Sequence, residues 1–143
     1  MITVERSIQI DKPAADVFAY ASNYDNATKW QGGVESVEVD GDGNLVGGKY
    51  TEVRKFLGRE MRTTLEVTVY EPNTKWAAKA ITGPVPYEVT MTLEGAEGGT
   101  RVTTHIDGEP TGFFKMAQGA VQSQLDKSLE EDLQRLKEQV EAS

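Results

Sequence analysis

Two residues of opposite charge, Glu52 and Arg54, stand two positions apart in a segment that otherwise has the composition of a β-strand. Alternate residues of a strand share one face, so both charges lie on the same face as Tyr50 and Phe56. Burying a charge costs several kcal/mol unless it is paired. A charged pair on an aromatic face is therefore either a functional group or a surface feature.

The pairing of this strand with the next one decides between these interpretations. A two-residue turn at Gly58-Arg59 predicts a hairpin in which the second strand presents an alternating, mostly apolar face. The residues predicted on that face are Met61, Thr63, Leu65, Val67 and Val69. In this register Phe56 lies opposite Met61, Arg54 opposite Thr63, Glu52 opposite Leu65 and Tyr50 opposite Val67.

The register predicts that Glu52 and Arg54 point toward the interior, where they would form the polar end of a largely apolar pocket. Such a pair could orient a carbonyl, a carboxylate or a phenol. In the alternative, the two side chains lie at the rim of the sheet with their charged ends in water, or a bulge turns them outward. The sequence leaves both alternatives open.

Catalysis in such a pocket would depend on a few polar groups that move a proton or hold a chain in one shape. Glu52 and Arg54 are weak candidates for that role, because a carboxylate held beside an arginine is a poor base near neutrality. Tyr50, Thr63, Tyr87 and Thr104 are the other polar residues expected in the pocket. Whether any reaction is catalysed is left open.

Other catalytic classes lack their residues. The chain has no cysteine and a single histidine, His105, whose neighbours Thr104 and Ile106 are in the inward phase, so His105 is expected to point outward. Asp107 and Glu109 share its face, and a chance metal site there is the alternative. Phosphate-binding and dinucleotide-binding fingerprints are absent. We therefore predict neither a metal nor a cofactor.

Length and charge limit the possible partners. The 143 residues fit one domain, 1–143, and the net charge of −8 disfavours nucleic acid and anionic membrane surfaces. The first residues lack the pattern of a signal peptide, and no apolar stretch approaches the roughly 20 residues that span a bilayer. We expect a cytoplasmic protein, monomeric or homodimeric, without membrane insertion.

Seven strands are predicted to position the pocket residues. Ile2, Val4, Ile8 and Ile10 alternate in the first strand, and the segment 34–110 contains six more strands joined mostly by short turns, one of them at 40–44. Short turns join antiparallel neighbours. The inward sets expected on the last three strands are Trp76, Ala78 and Ala80; Tyr87, Val89, Met91 and Leu93; and Val102, Thr104 and Ile106.

Helices are predicted at both ends of the chain. Asp11 or Lys12 is expected to cap a short helix with Pro13 in its first turn, and a second short helix or turn runs to Trp30. A single helix of roughly 28 residues, about 42 Å long, is predicted over 111–141. Its apolar stripe is Ala117, Val121, Leu125, Leu129, Leu133, Leu136 and Val140. It packs on the sheet or, alternatively, forms a coiled coil with a partner.

Three local motifs in this order resemble the START-like (SRPBCC) superfamily, and in particular its bacterial polyketide cyclase/dehydrase-like members. They are the segment Asp11–Phe18 (DKPAADVF), the segment Tyr24–Trp30, and the hairpin Gly98–Thr103 (GGTRVT). The resemblance implies an α+β helix-grip fold, with a seven-stranded antiparallel sheet curved around the C-terminal helix. It also implies a cavity for lipids, polyketides, sterols or hormone-like ligands, and no fixed catalytic motif.

The leading hypothesis is the binding or carrying of a hydrophobic or amphipathic small molecule between sheet and helix. A cyclase/dehydratase-type or hydrolase-type enzyme using the same cavity, and a protein-interaction module without ligand, are the alternatives. Trp30 either gates the cavity or anchors its loop. The residues expected to contact the ligand are Trp30, Tyr50, Glu52, Arg54, Phe56, Met61, Thr63, Trp76, Tyr87, Met91, Thr104, Phe113, Met116, Ala117 and Ala120.

Overall fold

The computed structural model describes residues 1–41 and 45–143. In these residues seven strands form one antiparallel sheet, as predicted. Their order in the sheet is β1-β7-β6-β5-β4-β3-β2. The predicted turn at 40–44 lies mostly outside the described residues. The strands are β1 (Ile2–Ile10), β2 (Val34–Asp40), β3 (Lys49–Phe56), β4 (Arg59–Glu71), β5 (Lys75–Thr82), β6 (Tyr87–Ala96) and β7 (Gly99–Gly108).

The long C-terminal helix packs on the sheet through the predicted stripe. Five apolar residues of this helix, α4 (Gln118–Glu141), are buried: Val121, Leu129, Leu133, Leu136 and Val140. They join the residues of β1, β6 and β7 in the main hydrophobic core. With 24 residues the helix is about 36 Å long.

The prediction of one continuous helix over 111–141 was wrong at its N-terminal end. A separate short helix, α3 (Gly112–Met116), precedes α4, and Ala117 between them leaves the helical region with φ −100° and ψ 27°. The break allows Phe114 to be buried in the core. Met116 is consequently directed into solvent, where 91% of its surface is exposed.

The first helix, α1 (Ala14–Ala21), begins one residue later than predicted. Pro13 is extended at φ −61° and ψ 151° and occupies the N-cap, where its carbonyl accepts hydrogen bonds from the amides of Asp16 and Val17. Neither Asp11 nor Lys12 caps α1, and their backbone groups instead form hydrogen bonds with other elements of the fold. The Asp11 amide donates to Glu141 of α4, and the Lys12 carbonyl accepts from Thr100 of β7.

The turn of the β3–β4 hairpin is Leu57-Gly58 and not Gly58-Arg59. Both residues have positive φ, 51° and 75°, as the common two-residue hairpin turn requires. Phe56 therefore pairs with Arg59, Arg54 with Met61, Glu52 with Thr63 and Tyr50 with Leu65. The shift is two residues, an even number, so every even-numbered residue of β3 keeps its predicted face.

The prediction that Val69 points inward was wrong, because β4 contains a bulge. Val67 pairs with Ala78, but the register then shifts, so that Val69 pairs with Ala77 and Tyr70 with Trp76. Tyr70 therefore takes the inward position, where its ring meets that of Phe18 edge-on at 5.5 Å. Short helical segments at 24–26 and in α2 (Ala27–Trp30) complete the cover of this face.

Two glycines of the β6–β7 hairpin provide a matched test of this packing. A Cβ at Gly99 would clash with the Ile10 carbonyl oxygen, whereas a Cβ at Gly95 would meet nothing within 4 Å. We expect Gly99→Ala to lower the free energy of unfolding by about 1–3 kcal/mol, because β1 and β7 must separate. Gly95→Ala should stay within about 0.5 kcal/mol of wild type. Equal urea midpoints for the two variants would contradict this packing.

Candidate functional site

A cavity of about 180 Å³ lies between the concave face of the sheet and α4. It exceeds several-fold the space that one water molecule requires. Ten of the fifteen residues expected to contact a ligand line it: Trp30, Tyr50, Glu52, Arg54, Phe56, Met61, Trp76, Tyr87, Met91 and Thr104. The strand alternation therefore located most of the sheet side of the cavity.

Five of the expected contact residues do not line the cavity. Thr63 is buried on the inner face but lies close to Gly83 in the β5–β6 loop. Phe113, Met116 and Ala120 are exposed at the surface, and Ala117 is half-buried against the core without lining the cavity. Their assignment was based on the continuous helix that the structure does not have.

The helical side of the cavity was largely missed. It is formed by α1, α2, the segment between them and α4, and includes Phe18, Tyr24, Ala27, Gln31, Val121, Leu125, Leu129 and Asp132. The apolar stripe was predicted to pack on the sheet or form a coiled coil, and of its residues only Ala117 was expected to contact a ligand. Phe114, not Phe113, is the aromatic of α3 at the cavity. Helical periodicity alone does not separate core from cavity wall.

The structure places Glu52 and Arg54 inside the cavity, linked to each other and to two further side chains. Glu52 is 6% exposed, and its Oε1 accepts hydrogen bonds from Arg54 Nε and from the Tyr87 hydroxyl, both at 3.1 Å. Arg54 Nη2 also donates to Gln31 Oε1 at 3.0 Å. We call Gln31, Glu52, Arg54 and Tyr87 the polar cluster.

The Tyr87–Glu52 hydrogen bond crosses the concave face, because Tyr87 is on β6 and Glu52 on β3, with two strands between them. The curvature of the sheet brings the two long side chains together. The intervening strand β5 contributes two small residues on this face, Ala78 and Ala80, which pair with the cavity residues Val89 and Leu65. The small side chains leave the space through which the hydrogen bond passes.

Burial controls the protonation of the polar cluster. It raises the pKa of the Tyr87 phenol well above its ordinary value, and the negative charge of Glu52 raises it further. The pKa of Tyr50 is raised for the same two reasons. Burial lowers the pKa of Arg54, but the combined effects of Glu52, Tyr87 and Asp132 outweigh it and the net direction is upward. Both phenols therefore remain hydrogen-bond donors, and the guanidinium remains charged.

A second buried carboxylate closes the helical side of the cavity. Asp132 of α4 is 6% exposed, accepts a hydrogen bond from the Gly32 amide at 3.0 Å and forms an ion pair with Arg135. Arg135 Nε in turn donates to the Trp30 carbonyl at 3.1 Å. A Cβ at Gly32 would lie 2.5 Å from the Arg135 guanidinium. These contacts hold the segment after α2 against α4 and fix Trp30 at the cavity.

His105 lies outside the cavity, as predicted, on the outer face of β7. Its Nε2 is 3.0 Å from Asp107 and its Nδ1 is 3.5 Å from Glu5. Within residues 1–41 and 45–143, no group of three or more His, Asp or Glu is arranged to hold a metal ion. In the same parts of the chain, no helix combines the length and apolar composition needed to cross a membrane.

The sequence matches the family described as polyketide cyclase / dehydrase and lipid transport over residues 1–141, and the chain belongs to this family. No curated protein matches it significantly. Among solved structures, TTHA0849 from Thermus thermophilus is similar with 23% identity and a TM-score of 0.86, covering 98% of this chain and 97% of that one. A START superfamily protein from Mycobacterium smegmatis is similar with 14% identity and a TM-score of 0.81, covering 98% and 97%. At these identities the likeness establishes the shared fold.

The ion pair of the polar cluster can be tested by a double-mutant cycle. Arg54→Met leaves the buried Glu52 carboxylate without its cation and should lower the free energy of unfolding by about 3–5 kcal/mol. Combining it with Glu52→Gln removes the uncompensated charge, so the double variant should be more stable than Arg54→Met alone. Arg62→Met, on the exposed face of β4, is the matched control and should have little effect. Strictly additive urea-unfolding energies would contradict the pairing.

Asp132 provides a prediction about pH. Burial raises the pKa of its carboxyl above the ordinary 3.8, and the hydrogen bond from Gly32 and the attraction of Arg54 offset only part of that rise. The folded state therefore holds this proton more tightly than the unfolded chain does. The resulting stabilisation is complete below pH 3.8 and is lost as the pH rises through the raised pKa. Asp132→Asn should remove this component of the pH dependence.

The direct measurement is an NMR titration of the aspartate carboxyl groups. Asp126 on the same helix is the internal control, because hydrogen bonds from Arg6 lower its pKa below 3.8. We expect Asp132 to titrate above 3.8 and Asp126 below it. A midpoint for Asp132 at or below that of Asp126 would contradict the burial of its charge.

Proposed function

We propose that the protein binds and carries a largely apolar small molecule, such as a lipid, a polyketide or a similar aromatic compound, in the cavity between sheet and α4. The observation that supports this most directly is the cavity itself, about 180 Å³ with a predominantly apolar lining. Protein interiors are packed to leave few voids larger than a water molecule. A cavity that also contains a buried polar cluster has the composition of small-molecule sites.

Family membership supports the same proposal, since the family description names lipid transport together with polyketide cyclases and dehydrases. The net charge of −8 disfavours nucleic acid and anionic surfaces as partners. An interaction module without ligand would have no use for the internal space. Binding in the cavity accounts for both the space and the polar cluster within it.

A cyclase-type or dehydratase-type reaction is the second candidate, and the polar cluster is the observation that bears on it. A general base must take up a proton near neutrality, but the Glu52 carboxylate is stabilised in its charged form by hydrogen bonds from Arg54 and Tyr87 to Oε1. Tyr87 keeps its proton because its pKa is raised. The cluster is better suited to holding an oxygen or nitrogen of a ligand than to transferring a proton.

A cavity-filling variant separates binding from stability. Ala21 lines the cavity, whereas Ala19 on the same helix is exposed. Ala21→Leu should extend three carbons into the cavity, weaken ligand binding by tenfold or more and leave the fold intact. Ala19→Leu is the matched control and should bind as wild type does. The readout is the ligand-induced thermal shift with a panel of lipids, polyketides and flavonoids, checked by native mass spectrometry.

Two results would contradict the proposal. If no member of the panel stabilises the wild-type protein and native mass spectrometry finds no bound molecule, the cavity is not a binding site of this kind. If Ala21→Leu and Ala19→Leu bind a stabilising ligand equally well, that ligand occupies another place.

A further inference from the structure

The charges at the cavity cancel each other. Glu52, Arg54 and Asp132 are the charged residues of its lining in the described parts of the chain. Glu52 pairs with Arg54 at 3.1 Å, and Asp132 pairs with Arg135. Arg54 is further engaged by Gln31. Among the described residues, the one cation of the lining, Arg54, is already paired with a carboxylate, so an anionic ligand would lose its hydration without gaining an unpaired counter-charge.

Three polar atoms of the lining are buried without a hydrogen bond that meets strict geometry in the described residues: Trp30 Nε1, Trp76 Nε1 and Thr104 Oγ1. The Trp76 side chain interacts with the Tyr24 hydroxyl, which leaves Trp30 and Thr104 as the two groups to consider. Trp30 is 6% exposed and Thr104 4% exposed, and neither the indole Nε1 nor the hydroxyl Oγ1 makes a hydrogen bond within the described residues. The indole N–H is a donor only, and the hydroxyl can donate as well. A buried donor without an acceptor costs free energy, so an acceptor supplied by a ligand would be favoured.

These two groups border the cavity from opposite layers. Trp30 ends α2 on the helical side, where Arg135 fixes its carbonyl, and Thr104 lies on β7 in the sheet. In the polar cluster, by contrast, the protein itself supplies the partners of Glu52 and Tyr87. Among the fully buried polar atoms of the lining, the groups left without a partner are therefore uncharged groups that can donate.

Aromatic rings form much of the remaining wall. Tyr24 and Tyr50 lie 4.6 Å apart between ring centroids, and Tyr50 and Trp76 lie 6.2 Å apart. Phe56 and Phe114 form a second aromatic pair at 6.2 Å. Rings present broad, rigid apolar surfaces that suit another ring system.

We propose that the occupant is an uncharged aromatic or alicyclic molecule whose ketone, ester or ether oxygen accepts hydrogen bonds from Trp30 and Thr104. Ionised fatty acids and other anions are excluded by the same arrangement. The proposal rests on the binding function proposed above and adds the chemical class of the ligand.

The test uses three naphthalenes that differ only in one substituent: acetyl, ethyl or carboxylate. Calorimetric titration at neutral pH should find the acetyl compound bound about three- to tenfold more tightly than the ethyl compound, which is the effect of one net hydrogen bond. The carboxylate should bind at least tenfold more weakly than the acetyl compound. Because all three ligands share one ring, their apolar contacts cancel in the comparison.

Two substitutions test whether the preference for the acetyl compound over the ethyl compound comes from Trp30 and Thr104. Trp30→Phe and Thr104→Val each remove a donor and keep an apolar side chain of similar shape. Together they should make the acetyl and ethyl compounds bind equally. Thr103→Val, on the outer face of β7 where Thr103 contacts Ser7, is the matched control and should keep the preference.

The outcomes distinguish the two proposals. If the carboxylate binds as tightly as the acetyl compound, or if the double variant keeps the acetyl preference, the ligand class is wrong while the cavity remains a binding site. If none of the three compounds binds and the wider panel also fails, both proposals are overturned.

Discussion

A carboxylate buried under a curved sheet must receive its hydrogen bonds from the protein, and Glu52 imposes this requirement on the rest of the structure. Arg54 meets part of it from the same strand, and Tyr87 meets another part from across the concave face. The crossing is possible because β5 carries alanines between them. Charge burial, sheet curvature and small residues on β5 are therefore one linked arrangement.

The same requirement extends to the helical layer. Arg54 also binds Gln31, which directly follows α2, and the next residue of that segment, Gly32, is held by Asp132 of α4. A chain of polar contacts thus runs from β6 through β3 and the α2 segment to α4. These contacts tie the sheet to the helical layer, and all five of their side chains line the cavity.

The sequence predicted the strands of the cavity well, because strand alternation tolerates some errors of register. Strand alternation has a period of two, so a two-residue error in the β3–β4 register left every face correct, including those of Glu52 and Arg54. The bulge that moves Tyr70 inward changes the phase by one residue, and no local signal in a uniformly alternating strand marks it. For that reason Val69 was misplaced.

The helical side of the cavity was less predictable, because an apolar spacing of three and four residues continues unchanged across a single residue that is not helical. Ala117 is a good helix former, yet the helix is interrupted there while Phe114 packs into the core, and the four expected contact residues around the break do not line the cavity. The partnerless state of Trp30 and Thr104 depends on everything around them, and sequence carries no sign of it.

Methionine methyl groups offer the most direct test of the central claim, that a small molecule occupies the cavity. The chain has four methionines: Met61 and Met91 line the cavity, while Met1 and Met116 are 76% and 91% exposed. In methyl-labelled protein titrated with the acetyl naphthalene, the NMR signals of Met61 and Met91 should shift and saturate together, and those of Met1 and Met116 should stay in place. Shifts confined to Met1 or Met116, with Met61 and Met91 unchanged, would contradict it.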